Sequence, residues 1–263
     1  MIRIDRGPEP ASLAPVRTAE LLRVRPLVSA GTLNSGAIGQ KYSIVKKTLW
    51  EQQEMKCCYC EARTECDYKD VEHFRPKAQA DRLNGTVDPG YWWLAWTWEN
   101  LLFSCEICNR SYKNDSFPLE AGSVALAPEN PPPGQERATL IDPCAEEPID
   151  LIEFRFNGIH WQPVGRNGNS RGQETVTRLG LDRPDLLTLY DAHVNDWVKP
   201  RTDAVHEAVG HRDASLLPKE WRRVLGLLSR RTPFAALSFD AIAHYVPEDV
   251  RTMWKLELPR PPR

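Results

Sequence analysis

Apolar positions along the chain follow two periods, and the change of period divides it. In YSIVKKTLWEQQE, residues 42–54, the positions Ile44, Val45, Leu49 and Trp50 recur at helical spacing. That pattern predicts a helix leading into a cysteine-rich stretch. A shorter helix is predicted near residues 18–24, between proline-containing segments. Farther on the period drops to two. Ile152, Phe154 and Phe156 alternate with polar residues, and Asn157–Gly158 supplies the positive φ angles of a type I′ turn before IHWQPV. A β-hairpin is predicted there. From Gly172 to about residue 246 the helical period returns, in segments at 171–181, 184–198, 202–210, 218–230 and 237–245. Pro184 suits the first position of its helix, capped by Asp182 or by the backbone of Arg183. In ALAPENPPPGQER, the prolines at 131–133 forbid helix and central strand, so a loop is expected. Within YWWLAWTWEN, Trp96 and Trp98 alternate as if on one face of a strand carrying Asn100, and these tryptophans read as core.

Composition narrows the function classes. At 263 residues the chain suits one large domain or two small ones. A net charge of −2 with 27% charged residues excludes a protein that coats nucleic acid through bulk electrostatics. Any nucleic-acid role must rest on a local site or on a partner. From residue 197 onward twelve Lys/Arg face eight Asp/Glu, a mildly basic balance that reads first as a solvated surface. No stretch reaches the roughly 20 apolar residues that span a bilayer. MIRIDRGPEP lacks the apolar core of a secretory signal. The expectation is a cytoplasmic protein with no membrane partner.

Seven cysteines stand at 57, 58, 60, 66, 105, 108 and 144. The odd count, without export signals, reads as metal binding plus spare thiols. Cys57–Cys60 and Cys105–Cys108 are two CxxC knuckles separated by 44 residues. Four thiolates about 2.3 Å from the ion make a closed tetrahedral zinc site, which is structural because no position is left open. Cys58 could replace Cys57, but its CxC spacing to Cys60 favours Cys57. Cys66 and Cys144 are expected to be unligated.

Between the knuckles lie DVEHFRPK and YWWLAWTWENLLFSC, and after the second comes NRSYKND. The order CxxC, EHxxPK, WxNL, CxxCNxxxK resembles the HNH endonucleases in their zinc-stapled form, over residues 56–119. The resemblance implies an α+β chain with a ββα-metal core (His-Me finger), held by the four-cysteine zinc site. A β-hairpin and a mostly helical C-terminal region would follow that core. It implies that His73 ends the first strand as general base, Glu72 and Asn109 hold a catalytic Mg²⁺ or Mn²⁺, and Asn100 ties the hairpin loop. Asn109 stands where other members have His, the HNN variant. The chemistry agrees: phosphodiester hydrolysis needs an activated water and a cation to offset developing charge. A histidine titrating near neutrality and hard oxygen ligands supply these. Arg75, Lys77, Arg110 and Lys113, close in sequence, are candidates for phosphate contacts. Asp70 reads as structural.

A weaker likeness continues through LIDPCAEEPIDLIEF, the hairpin and RGQETVTRLGLDR. It resembles the HNH component of the Septu and retron-associated anti-phage systems. It implies an ABC-type ATPase as partner and nucleic acid, first of all DNA, as substrate. The expected organisation is an arm and helix in 1–55, a nuclease core in 56–120, a proline-rich loop and hairpin in 121–171, and a partner-docking helical region in 172–263. Two other readings stay open. One is a stand-alone restriction-type endonuclease; the other is a catalytically silent zinc module that binds nucleic acid or protein.

Overall fold

The computed structural model describes residues 1–67, 70–83, 85–211 and 215–261, in helices and small two-stranded sheets. They form two units: Asp5–Tyr59 with Arg63–Asp142, and Met1–Ile4 with Cys60–Ala62 and Pro143–Arg263.

In the first of these units, α1 spans Leu13–Ser29, well beyond the predicted 18–24. Pro15 falls in the first turn, where backbone N–H groups have no helical partner anyway, so it does not delay the start. Pro26 forfeits one donor inside the helix, yet its own carbonyl still accepts from Ala30 N at 3.0 Å. The short α2, Ser35–Ile38, is capped by Asn34, whose Oδ1 accepts from Ala37 N at 2.9 Å. The helix predicted at 42–54 begins as a 3₁₀ turn, Lys41–Val45, and becomes α3 only over Lys46–Gln52. It buries Val45 and Leu49 completely.

Two antiparallel strands follow, β1 (Asp70–His73) and β4 (Leu101–Ser104), in register Asp70↔Ser104 to His73↔Leu101. Between them a small ladder pairs β2 (Gln79–Asp81) with β3 (Val87–Pro89). The strand expected through Trp96 and Trp98 does not form. Trp92–Leu94 and Trp98–Asn100 are 3₁₀ turns, and the strand starts only at Leu101. The reason is burial on every side: Trp92, Trp93, Leu94, Ala95, Trp96 and Trp98 all lie in the core. An apolar run without a solvent face carries no period from which a strand could be told from a turn. The Trp98 indole donates to Gly7 O at 3.0 Å and that of Trp93 to Asn130 O at 2.9 Å, so these rings are fixed in the interior.

The second unit is built on the predicted hairpin, β5 (Ile152–Phe156) with β6 (Trp161–Gly165). Its turn differs from type I′. Gly158 takes φ 97°, but Asn157 stays out of the left-handed region. Instead Asn157 Oδ1 accepts from the backbone of both Ile159 and His160, each at 2.9 Å. That side chain provides the bonds a second positive φ would have served. Helices α4 (Ser170–Arg178), α5 (Pro184–His193), α6 (Lys199–Gly210), α7 (Leu217–Leu225) and α8 (Ala235–Tyr245) match the predicted segments. A further helix, α9 (Glu248–Met253), lies past the last one expected. Pro184 is the first residue of α5, with Arg183 as its cap. Acidic side chains pin the hairpin to the helices: Asp240 of α8 accepts from Phe154 N, and Asp191 of α5 from Trp161 N, both at 2.8 Å. Gly172 of α4 admits no side chain, because a Cβ there would stand 1.9 Å from Leu151 O. Among the described residues, no helix is long and apolar enough to cross a membrane.

His193 bears on the stability of this unit. Its Nε2 lies 2.8 Å from Ser238 Oγ, and burial pushes its pKa down to about 4, with Glu61 opposing. Below about pH 6.5 the unfolded imidazole binds a proton that the folded one refuses. Its contribution is therefore complete above about pH 6.5 and is lost as the pH falls toward 4. Urea unfolding at pH 5.0 should give a stability on the order of 1–2 kcal/mol below that at pH 7.5 from this group. In His193→Gln the gap should narrow by that amount; an unchanged gap would assign the acid sensitivity elsewhere.

Candidate functional site

Strand β1 ends at His73, and β4 runs antiparallel beside it. The chain then turns through Cys105 into a wide helical segment, Ile107–Lys113. Strand β1, the residues just after it, the helical segment and the stretch around Tyr42 line one cavity of about 530 Å³, with Glu72, His73, Lys77, Asn109 and Arg110 on its wall.

The His73 ring is buried, with Nε2 2.9 Å from Ala95 O. A carbonyl can only accept, so Nε2 carries the hydrogen and Nδ1 keeps the basic lone pair. The Tyr42 ring meets the imidazole edge-on at 4.5 Å between centroids. Burial, reinforced by the Lys77 charge, pushes the His73 pKa down to about 3, while the bond to Ala95 opposes. At neutral pH the imidazole is uncharged.

Glu72 is equally buried. Its Oε1 accepts from Lys113 Nζ at 2.6 Å and from the Tyr59 hydroxyl at 3.1 Å. Burial raises its pKa, and Lys113 opposes. Lys113 Nζ also donates to His73 O at 2.9 Å, so one ammonium ties the helix to the end of β1.

Asn100 fixes the chain just after His73. Its Oδ1 accepts from Arg75 N at 2.8 Å, and its Nδ2 donates to Arg75 O at 2.9 Å and Leu94 O at 3.2 Å. Every polar atom of this buried amide is used. Asn100→Ala would strand the Arg75 N–H and carbonyl, while Leu94 O keeps the Thr97 N–H at 3.1 Å, and we expect a loss of about 2–4 kcal/mol. The urea midpoint should fall with the slope of the transition unchanged. A midpoint within error of wild type would show that the tie is dispensable.

The cations proposed from sequence fare differently. Arg75 is buried away from the cavity, paired with Glu136 at 2.7 Å and lying over the rings of Phe74 and Phe117. Glu136 also accepts from Tyr91 and from Leu126 N, so Arg75 is spent inside the core. Lys113 is spent on Glu72 and His73. Neither can hold a phosphate without breaking a buried pair. Arg110 is exposed and lines the cavity, but Asp70 grips it through two bonds, at 2.5 and 2.8 Å. Lys77 lines the cavity with its ammonium 5.4 Å from the Tyr42 ring centre. Half-buried Asn109 lies on the same wall.

Cys57, Cys60, Cys105 and Cys108 converge, all buried, with their sulfurs within 4.8 Å of one another. Among the described residues no other group of three or more His, Cys, Asp or Glu does so. The first cysteine of each knuckle accepts a backbone N–H at 3.4 Å, from Tyr59 N to Cys57 and from Cys108 N to Cys105. Such donors favour the charged thiolate. Cys58 is outside the quartet; its N–H is used on Phe103 O at 3.0 Å. Gln53 completes this side. Its amide bonds both the N–H and the carbonyl of Phe103, at 2.8 and 2.7 Å, and so satisfies the outer edge of β4. Four converging buried sulfurs suit a soft tetrahedral ion such as zinc.

Sequence reasoning did not find Tyr42, Gln53, Tyr59, Ala95 or Glu136. Tyr59, between two cysteines, was the one with a local signal. The others act on groups far along the chain.

The fold and site define a mixed helix-and-sheet chain with a buried four-cysteine centre able to hold a metal ion, and a separate polar cavity. The chain is a homologue of the Septu PtuB proteins. It is 32% identical over 194 residues to Septu protein PtuB of Bacillus mycoides (strain KBAB4), a match covering 71% of this chain and 64% of that one. It is 40% identical over 146 residues to Septu protein PtuB of Bacillus thuringiensis, covering 54% and 43%. The chain therefore spans less than two thirds of the length of either curated relative. No family model matches it, and no solved structure does.

Proposed function

We propose that this chain is a metal-dependent endonuclease of the HNH type, hydrolysing phosphodiester bonds of nucleic acid, first of all DNA. In this reading it is the cytoplasmic effector nuclease of a Septu-type antiviral complex. An ABC-type ATPase docks on the helices after residue 172. The observation that carries the nuclease reading is His73. It is a neutral imidazole at the end of β1, with its tautomer set by Ala95 O, beside a cavity shared with Glu72 and Asn109.

The four-cysteine centre would be a zinc staple made by Cys57, Cys60, Cys105 and Cys108. It holds the two ends of the 57–108 segment together and leaves no open position for substrate. In the cavity, the donor set suits a hard ion. Glu72 has one carboxylate oxygen beyond the one used by Lys113 and Tyr59, and Asn109 offers an amide oxygen. Mg²⁺ or Mn²⁺ takes one or two such ligands and completes its shell with water and phosphate. Bound there, it would offset charge on the phosphorane and the leaving oxygen.

His73 Nδ1 accepts the proton of the attacking water as the new P–O bond forms and the bond to the leaving oxygen breaks. An imidazole held near pKa 3 is a weak base, and the anionic phosphate entering the cavity raises it. Ala95 O keeps the ring oriented through that transfer. Asn100 holds the following residues so that the ring cannot swing out of line.

The test is cleavage of supercoiled plasmid by the purified, zinc-loaded chain with Mg²⁺ or Mn²⁺, alone and with the ATPase co-expressed. Metal-dependent nicking that a chelator stops is expected. Absence of cleavage on DNA and RNA alike, in both settings, would sink the nuclease reading.

A further inference from the structure

The cations around the cavity can be sorted by what they already hold. Arg75, Arg110 and Lys113 each hold a carboxylate: Glu136, Asp70 and Glu72. Among the described residues, two lysines facing the cavity have no ion-pair partner, Lys77 and Lys46. Lys46 does not belong to the strand–strand–helix region at all. It opens α3, and with Gln40, Tyr42 and Ser43 it lines the same cavity as His73. The 3₁₀ turn Lys41–Val45 brings this segment there. It is anchored by the Tyr42 ring, which meets His73 at 4.5 Å and Lys77 Nζ at 5.4 Å.

Without these lysines, the remaining charges lining the cavity are three carboxylates, Asp70, Glu72 and Asp115, against Arg110. A polyanion would then be repelled. An ammonium with no partner can meet a phosphate without first breaking an ion pair, so it gives the larger net gain.

We propose that the 40–46 segment is the second wall of the nucleic-acid cleft, with Lys46 opposite the His73 strand as a phosphate contact paired in function with Lys77. This deepens the nuclease reading and rests on it. The occupant is the sugar–phosphate backbone of the strand being cut. Ser43 and Gln40 offer neutral donors to the same phosphates.

The experiment measures binding of a fluorescein-labelled duplex DNA by the full chain in a His73→Ala background, without added divalent ion, across a range of salt. Lys46→Gln and Lys77→Gln are compared with Lys47→Gln. Lys47 is exposed, pairs with Glu51 at 3.8 Å and is not on the cavity wall. Lys46→Gln should weaken binding about fivefold near 0.1 M salt and reduce the slope of log K against log salt by about 0.9. Lys47→Gln should change neither. If Lys46→Gln behaves like Lys47→Gln while wild type cuts plasmid, the second wall is wrong and the nuclease reading survives. If wild type neither binds nor cuts DNA or RNA, both readings fall together.

Discussion

His73→Ala is expected to lower metal-dependent cleavage by roughly 10²- to 10⁴-fold, the usual worth of a positioned general base. The expectation rests on three facts about one ring. Its Nε2 hydrogen is committed to Ala95 O, so only Nδ1 can take a proton. Burial keeps it uncharged at neutral pH, so the lone pair is available. The cavity beside it also holds Glu72 and Asn109, where an ion would sit. The alanine leaves Ala95 O without its donor, which costs about 1–3 kcal/mol of stability. His73→Gln is therefore the companion variant: its amide can donate to Ala95 O but has no basic nitrogen. Initial rates on plasmid at saturating Mg²⁺ or Mn²⁺ should collapse in both variants, while zinc content and circular dichroism stay at wild-type values. Nicking at the wild-type rate by either variant would remove His73 from the base role.

Cys105→Ser should have the largest effect on folding. Cys105 is one of four buried sulfurs that converge from segments 44 residues apart. Apparent binding energies of structural zinc sites are about 10–16 kcal/mol, and much of that is folding energy. If even about 4 kcal/mol is lost here, the thermal midpoint should drop by roughly 8–16 °C. Zinc released on denaturation, read with a colorimetric chelator, should fall from one per chain to near zero. Cys66→Ser is the control. Cys66 is half-buried, lies outside the quartet and should change neither reading. Full zinc in Cys105→Ser would show that the quartet is not the metal site.

The two effects differ because the two sites use their residues differently. A metal held by the four sulfurs would cross-link distant segments, so losing one sulfur should loosen the fold around them. In the nuclease reading proposed above His73 would add a proton acceptor, so its loss should be felt in rate before stability. Asn100 lies between: two of its three bonds hold Arg75, just after His73, and the third holds Leu94.

Local patterns in the sequence carried the elements whose cause is local. Alternation at Ile152, Phe154 and Phe156 specified the hairpin, and Pro184 marked the start of α5. The two CxxC spacings named the four sulfurs that converge, because each knuckle fixes its own pair by short-range geometry. The EHxxPK stretch placed His73 and Glu72 at the end of β1. Where every neighbour was apolar, from Trp92 to Trp98, the pattern had no period to read and the strand was misjudged.

What the tertiary structure alone decided is the fate of charge. Arg75, Lys77, Arg110 and Lys113 look alike in sequence, four cations beside a candidate site. Whether each is free depends on a carboxylate brought to it by folding: Glu136 lies 61 residues from Arg75, and Glu72 lies 41 from Lys113. Tyr42 and Lys46 reach the cavity for the same reason, from a segment whose own pattern specified only a helix. Residue type and spacing set which chemistry the chain can carry, because bonding preferences and backbone periods are short-ranged. Which side chains are used up and which face the cavity is set by packing, since an ion pair or a buried ring needs a partner that only the folded chain supplies.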